Sequence, residues 1–186
     1  MQWYPPIQPG WLNGWIVLVL LTLTEGTLFL VFPRPVVKRL FDRSGWTPPQ
    51  ITFTVIGKLS AAFCLAMLIL TPLRLGTPLF YIGAAITLAG LIGLAKSLFD
   101  FKATPLDEPV TRGLYRISRH PQIVMASLVL LGGCLCIGSW SALLAWLLAR
   151  IFSHFGILGE EEVCLRLYGE PYAAYLERVP RYFVFF

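Results

Sequence analysis

Charge is scarce in this chain: Asp, Glu, Lys and Arg make up 13% of its 186 residues, where soluble domains carry roughly 25%. A water-soluble globule could not cover its surface with so little charge. The composition therefore argues against a cytosolic enzyme, a disordered chain and a free nucleic-acid binder. Histidine and cysteine are scarcer still, at two and four residues. No C-x-x-C and no Cys/His spacing of a metal site occurs; Cys64, Cys134 and Cys136 lie inside apolar runs and Cys164 outside them. Isolated cysteines of this kind read as small buried hydrophobes, which supports neither a disulfide framework nor a metal site. Internal repeats and low-complexity segments are not evident.

What is abundant is apolar surface: 56% of the residues are hydrophobic and the mean hydropathy is +0.70. The length fits one compact domain, so the default reading is a single integral membrane bundle. A helix needs about 20 residues to cross the hydrocarbon core. Apolar stretches at 11–32, 51–73 and 78–99 meet that length and are separated by Pro33-Arg34-Pro35, by Gly45-Trp46-Thr47-Pro48-Pro49 and by Leu75-Gly76-Thr77-Pro78. A fourth stretch from Pro121 to Leu158 is too long for one crossing, and Gly132-Gly133 with Gly138-Ser139-Trp140 inside it predict a tight turn and a helical hairpin with spans at 121–137 and 140–158. Lipid-facing backbone must be satisfied internally, so the expectation is all-α: five transmembrane helices followed by a cytoplasmic helical cap over 159–186.

The basic residues, spread among these runs, act as topology determinants. Arg34, Lys38, Arg39 and Arg43 follow the first span, Lys96, Lys102, Arg112, Arg116 and Arg119 lie between the third and fourth, and Arg166, Arg178 and Arg181 lie in the tail. The other side holds Arg74 alone, which predicts an N-terminus outside and a cytoplasmic C-terminus. The first ten residues lack a basic region and a small-residue cleavage pattern, so the first span is expected to be retained. In the third span Gly83, Ala85, Ala89, Gly90 and Gly93, including Ala89-x-x-x-Gly93, predict close helix packing.

Ionisable residues inside spans are expensive and mark functional candidates. Glu25 falls in the first span; a structural ion pair with Lys58 or Arg150 is the competing reading. Arg150, His154 and Glu161 share one helical face by the 3.6-residue period, forming a polar stripe at the cytoplasmic boundary. Pro121 suits the first turn of the fourth span, and the free amides there, with Arg119 and His120, suit an anionic group. Glu160-Glu161-Glu162 reads either as a solvated cap or as carboxylates for hydroxyls and a cation.

These residues carry a resemblance. Gly113-x-Tyr115-x-x-x-Arg119-His120-Pro121, then Glu160-Glu161 about forty residues later, then Tyr168-Gly169-x-x-Tyr172-x-x-Tyr175 and Val179-Pro180-Arg181, resemble the C-terminal half of integral membrane methyltransferases. These are the isoprenylcysteine carboxyl methyltransferase family and the related phospholipid N-methyltransferases. The resemblance spans roughly Thr111 to Arg181 and implies S-adenosylmethionine bound near the cytoplasmic face under the C-terminal segment. It implies a loop of Tyr115, Arg119, His120 and Pro121 and a pair of Glu160 and Glu161 at the cofactor, with Tyr168, Tyr172 and Tyr175 closing over it. Ile123 and Met125 stand where that family usually has Tyr and Gly. The implied acceptor is lipophilic, a prenylcysteine carboxylate, phospholipid or similar lipid supplied by the bilayer; nucleic acid and an obligate protein partner are not implied. Arg150 is the candidate for orienting an anionic acceptor and His154 for accepting a proton from an amine. Two other readings stay open: a nicotinamide-dependent membrane reductase using Arg112, Arg116 and Arg119 for a phosphate, and a small transporter or scaffold built on Glu25, Arg150 and His154.

Overall fold

The computed structural model describes residues 1–40 and 47–183. Arg43 and the Gly45-Trp46 part of the predicted break lie outside the described residues. Among the described residues there are seven α-helices, one 3-10 turn and no strand: α1 Trp15–Val31, α2 Arg34–Leu40, α3 Pro48–Leu70, α4 Pro78–Lys102, the turn Gly113–Arg116, α5 Pro121–Ile137, α6 Trp140–Tyr168 and α7 Glu170–Arg178. The all-α expectation holds. α3, α4 and α6 are long and apolar enough to cross a membrane. α1 and α5 are apolar but have 17 residues each, a length of about 26 Å against a hydrocarbon core of about 30 Å.

Local chemistry sets the helix ends. The Gln50 side chain accepts from the Thr47 amide at 2.8 Å, and prolines at the start of α3, α4, α5 and α7 occupy first-turn positions where no donor is needed. Thr77 and Ser139 hydroxyls cap α4 and α6 by accepting from Phe80 and Ala142 amides. Gly138 ends α5 in the left-handed region at φ 63°, so the predicted hairpin turns there; Gly132 and Gly133, expected to share in the turn, lie inside α5 and are buried against its neighbours.

α4 packs most extensively on α5, and α3 on α6. The first seam is narrow because it is lined by Gly83, Thr87 and Gly90; a Cβ on Gly83 would lie 2.5 Å from the Gly132 carbonyl oxygen. Gly83 and Gly90 of the predicted set lie in this seam, whereas Ala85 and Ala89 are exposed. The buried line runs at Gly83, Thr87, Gly90 and Leu94, and the half-buried Gly93 instead makes room for the Met125 side chain. Met125 thus packs against a glycine of the facing helix. Cys64, Met67 and Leu68 of α3, Cys134 and Ile137 of α5 and Ala142 and Ala145 of α6 form the main core. Leu23, Leu88, Ile92 and Leu147 are exposed, a surface suited to lipid rather than water.

The bundle has two distinct ends. At one, Gln2 pairs with Gly138 and Trp140, Leu73 with Leu12 and Arg74 with Cys136 through backbone bonds. At the other, the 103–112 loop, the last turns of α6 and α7 meet α2 and the start of α5. α6 continues past residue 158, where the fifth span was expected to end. It runs unbroken to Tyr168, because three adjacent glutamates keep an intact backbone ladder, and Gly169 with Pro171 makes the break. The separate cap is therefore α7 and the tail after it.

Candidate active site

At the second end, α2, α4, the 103–112 loop, α5, α6 and α7 surround a cavity of about 220 Å³. Tyr115, Arg119, His120, Glu160 and Tyr172 line it, as do Tyr168 and Tyr175 of the closing segment. Pro121 does not line it but begins α5 directly behind His120. Ile123 lines it as well, at the position where a Tyr was expected. Arg39, Phe101, Gln122 and Cys164 complete the wall and were not anticipated as site residues.

The two adjacent glutamates have different jobs. Glu160 faces the cavity, whereas Glu161 is 6% exposed and lies behind it. Arg181 reaches Glu161 with both Nε, at 2.9 Å, and Nη2, at 2.7 Å. Arg119 Nη1 lies 3.3 Å and His120 Nε2 3.2 Å from Glu161 Oε1. Nδ1 of the same imidazole is 3.7 Å from Glu160 Oε2. One hundred degrees of helix rotation between neighbours is enough to send one carboxylate into the cavity and the other into its support. The burial of this carboxylate is offset by its partners, with His120, Arg119 and Arg181 all standing against its two oxygens.

The tail after α7 is pinned to the same cluster. The Arg119 amide donates to the Pro180 carbonyl at 3.0 Å and the Ser118 hydroxyl to the Arg181 carbonyl at 2.9 Å. Tyr175 closes over the 3-10 turn by donating its hydroxyl to the Tyr115 carbonyl at 2.7 Å. Burial raises the phenols of Tyr115, Tyr172 and Tyr175 well above their ordinary range. At neutral pH these three residues therefore present O–H groups at the cavity wall.

Arg119 Nε and Gln122 Nε2 are buried and have no hydrogen-bond partner among the described residues. Buried donors left unpaired cost about 1–3 kcal/mol each, so two of them on one cavity point to a ligand with acceptor atoms. Of the three arginines considered for a cofactor phosphate, only Arg119 lines the cavity; Arg112 and Arg116 are exposed, and Arg112 donates to the Ala103 carbonyl.

Arg150 and His154 lie outside this wall, about three and two turns deeper along α6 than Glu161. Arg150 Nη2 reaches Ser153 Oγ at 3.3 Å, its Nε is buried without a partner, and His154 Nδ1 lies 2.8 Å from the Tyr182 hydroxyl. Tyr182 follows Arg181, so the tail joins the polar stripe to the Glu161 cluster. Among the described residues Glu25 makes no ion pair with Lys58 or Arg150, which overturns the structural pairing considered for it.

The family model for phospholipid methyltransferases matches residues 72–171, just over half of the chain. The chain belongs to the phospholipid methyltransferase family. No curated protein and no solved structure matches it. The matched region holds α4, α5, α6 and the Tyr115 to Pro121 loop, so it reaches further toward the N-terminus than the motifs do, and it stops just before Tyr172. Membership makes this a membrane methyltransferase of the lipid-modifying class. Arg39, Tyr172 and the Arg181-Tyr182 tail complete the site from outside the match.

Proposed function

We propose that this family member transfers a methyl group from S-adenosylmethionine to a lipophilic acceptor at the basic end of its bundle. The observation that carries the reading is the cavity wall: two unpartnered buried donors, Arg119 Nε and Gln122 Nε2, beside the Glu160 carboxylate and the rings of Phe101, Tyr168 and Tyr172. S-adenosylmethionine carries a carboxylate, an ammonium, a ribose diol, an adenine and a sulfonium. Arg119 and Gln122 suit its acceptor atoms, Glu160 suits the ammonium or the diol, and the rings suit the adenine face and the sulfonium charge. When bound, it supplies an activated methyl group on a sulfonium.

The chain's own part in an in-line displacement is positioning and exclusion of water. Glu161 holds Arg119 and His120 in place from behind, and α7 covers the cavity through Tyr172 and Tyr175. On the acceptor side, Arg150 orients an anionic head group. His154, fixed at Nδ1 by Tyr182, keeps its other ring nitrogen for the proton of an amine acceptor. The acceptor arrives sideways from lipid and the cofactor from water, and the two routes meet at this boundary.

In the membrane, α1, α3, α4, α5 and α6 make five crossings, the short ones accommodated by local thinning. Arg34, Lys38, Arg39, Lys102, Arg112, Arg116, Arg166 and Arg178 belong to the end with the cavity, and Arg74 to the other. That asymmetry supports a cytoplasmic C-terminus and an N-terminus outside. The test of the cofactor is titration calorimetry of the detergent-purified protein: saturable binding of S-adenosylmethionine with none of NADPH is expected, and the reverse pattern would reject the reading in favour of a reductase.

A further inference from the structure

Arg39 lies on α2, before the family match begins, and in the sequence it is one of several basic residues after the first apolar stretch. In the fold it is built into the cavity. Its guanidinium stands 5.0 Å from the ring centre of Phe101 and 5.4 Å from that of Tyr168. Nη1 donates to the Pro105 carbonyl at 2.9 Å and Nη2 to the Glu108 carbonyl at 2.5 Å. The Tyr168 hydroxyl donates to the same loop, at the Leu106 carbonyl, over 3.4 Å. Phe101 lies in the last turn of α4, Tyr168 ends α6, and Pro109 and Val110 follow the two carbonyls as cavity wall.

Three walls far apart in sequence therefore converge on one side chain. The loop between α4 and the 3-10 turn has no helical ladder, so its carbonyls need donors from elsewhere. A guanidinium can stack on two aromatic faces while its fork donates in plane to two carbonyls; an ammonium cannot do both. The charge could be replaced by Lys, but not the shape.

We propose that Arg39 is a positioning residue for the cofactor site, a clasp that holds the 105–110 loop and Tyr168 against Phe101 and thereby sets the closure of the cavity. The proposal rests on the S-adenosylmethionine reading above. No reacting group is lost when the clasp is loosened, so the defect falls on cofactor retention and spares the chemical step.

The test uses the full chain in detergent, with Arg39→Lys, Tyr168→Leu, the double variant and Tyr168→Phe. Cofactor Kd is read by calorimetry, kcat and KM by methyl transfer to a lipid extract, and integrity by the thermal midpoint. Arg39→Lys is expected to raise Kd and KM for S-adenosylmethionine about 5- to 20-fold, the scale of one lost stacked contact, with kcat and midpoint close to wild type. Tyr168→Phe, which keeps the ring under the guanidinium but loses the hydroxyl bond to the Leu106 carbonyl, should weaken binding less than Tyr168→Leu, and the double variant should bind no worse than the weaker single variant. Unchanged cofactor affinity in Arg39→Lys overturns the clasp, as does a fall in affinity that is matched by a collapse of the midpoint, or by full additivity with Tyr168→Leu. Wild-type protein that binds no S-adenosylmethionine overturns the cofactor reading, and the clasp with it.

Discussion

Replacing Glu161 by Gln keeps the size and one acceptor oxygen of the side chain and removes its charge. The Arg119 side chain, 5% exposed, and the Arg181 fork then face a neutral amide. Removing one partner of a buried, hydrogen-bonded ion cluster costs roughly 3–5 kcal/mol. At pH near 7 the variant should therefore melt on the order of 10 °C below wild type in detergent, followed by the fluorescence of the six tryptophans. Cofactor affinity should fall as well, because Arg119 and His120 lose their support. Glu160→Gln is the contrast: weaker cofactor binding at a nearly unchanged midpoint. Equal midpoints for wild type and Glu161→Gln at neutral pH would refute the reasoning that this carboxylate anchors the site.

The other predictions concern the bundle and the acceptor. Gly83→Ala places a Cβ 2.5 Å from the Gly132 carbonyl oxygen and should cost about 1–3 kcal/mol by overpacking, whereas Gly26→Ala, with nothing within 4 Å, should leave the midpoint unchanged or raise it; a thermal melt of both reads the contrast. Arg150→Leu should preserve cofactor affinity and lower turnover at least tenfold, and adding Glu25→Gln should restore nothing, since the two do not pair; recovery in the double variant would reinstate a structural pair. Cysteines introduced at Gln8 and Glu177 should react with impermeant reagents from opposite sides of the membrane, and labelling from one side would reject the five-crossing topology.

The sequence was most legible where chemistry constrains backbone. Pro121, Gly138 and Thr77 fix helix ends through a missing donor, a left-handed cap and a hydroxyl cap, and all three are local effects. Periodicity correctly put Glu161 on the face of Arg150 and His154. It did not show that Glu160, one residue earlier, faces the cavity while Glu161 supports it, because that depends on where α5 and the tail arrive. That the helix continues past the expected span end at residue 158 to Tyr168 was not legible from the apolar run, because charge does not break a helix. α2 and Arg39 went unrecognised for another reason: a basic residue after a span has the same sequence signature whether it is a topology anchor or part of a site. Of the small residues in α4, Gly83 and Gly90 form the seam while Ala85 and Ala89 are exposed, because seam residues are chosen by the partner helix, here through Gly132, Val129 and Met125.

The most direct measurement of the central claim is transfer of label from methyl-tritiated S-adenosylmethionine into the organic phase, using purified protein and a total lipid extract. Label should accumulate with wild type, fall sharply with Glu160→Gln, and fall with Arg150→Leu even at saturating cofactor. No transfer to any lipid fraction by protein that is folded and binds S-adenosylmethionine would contradict a lipid acceptor. Transfer undiminished in both variants would contradict the placement of the site.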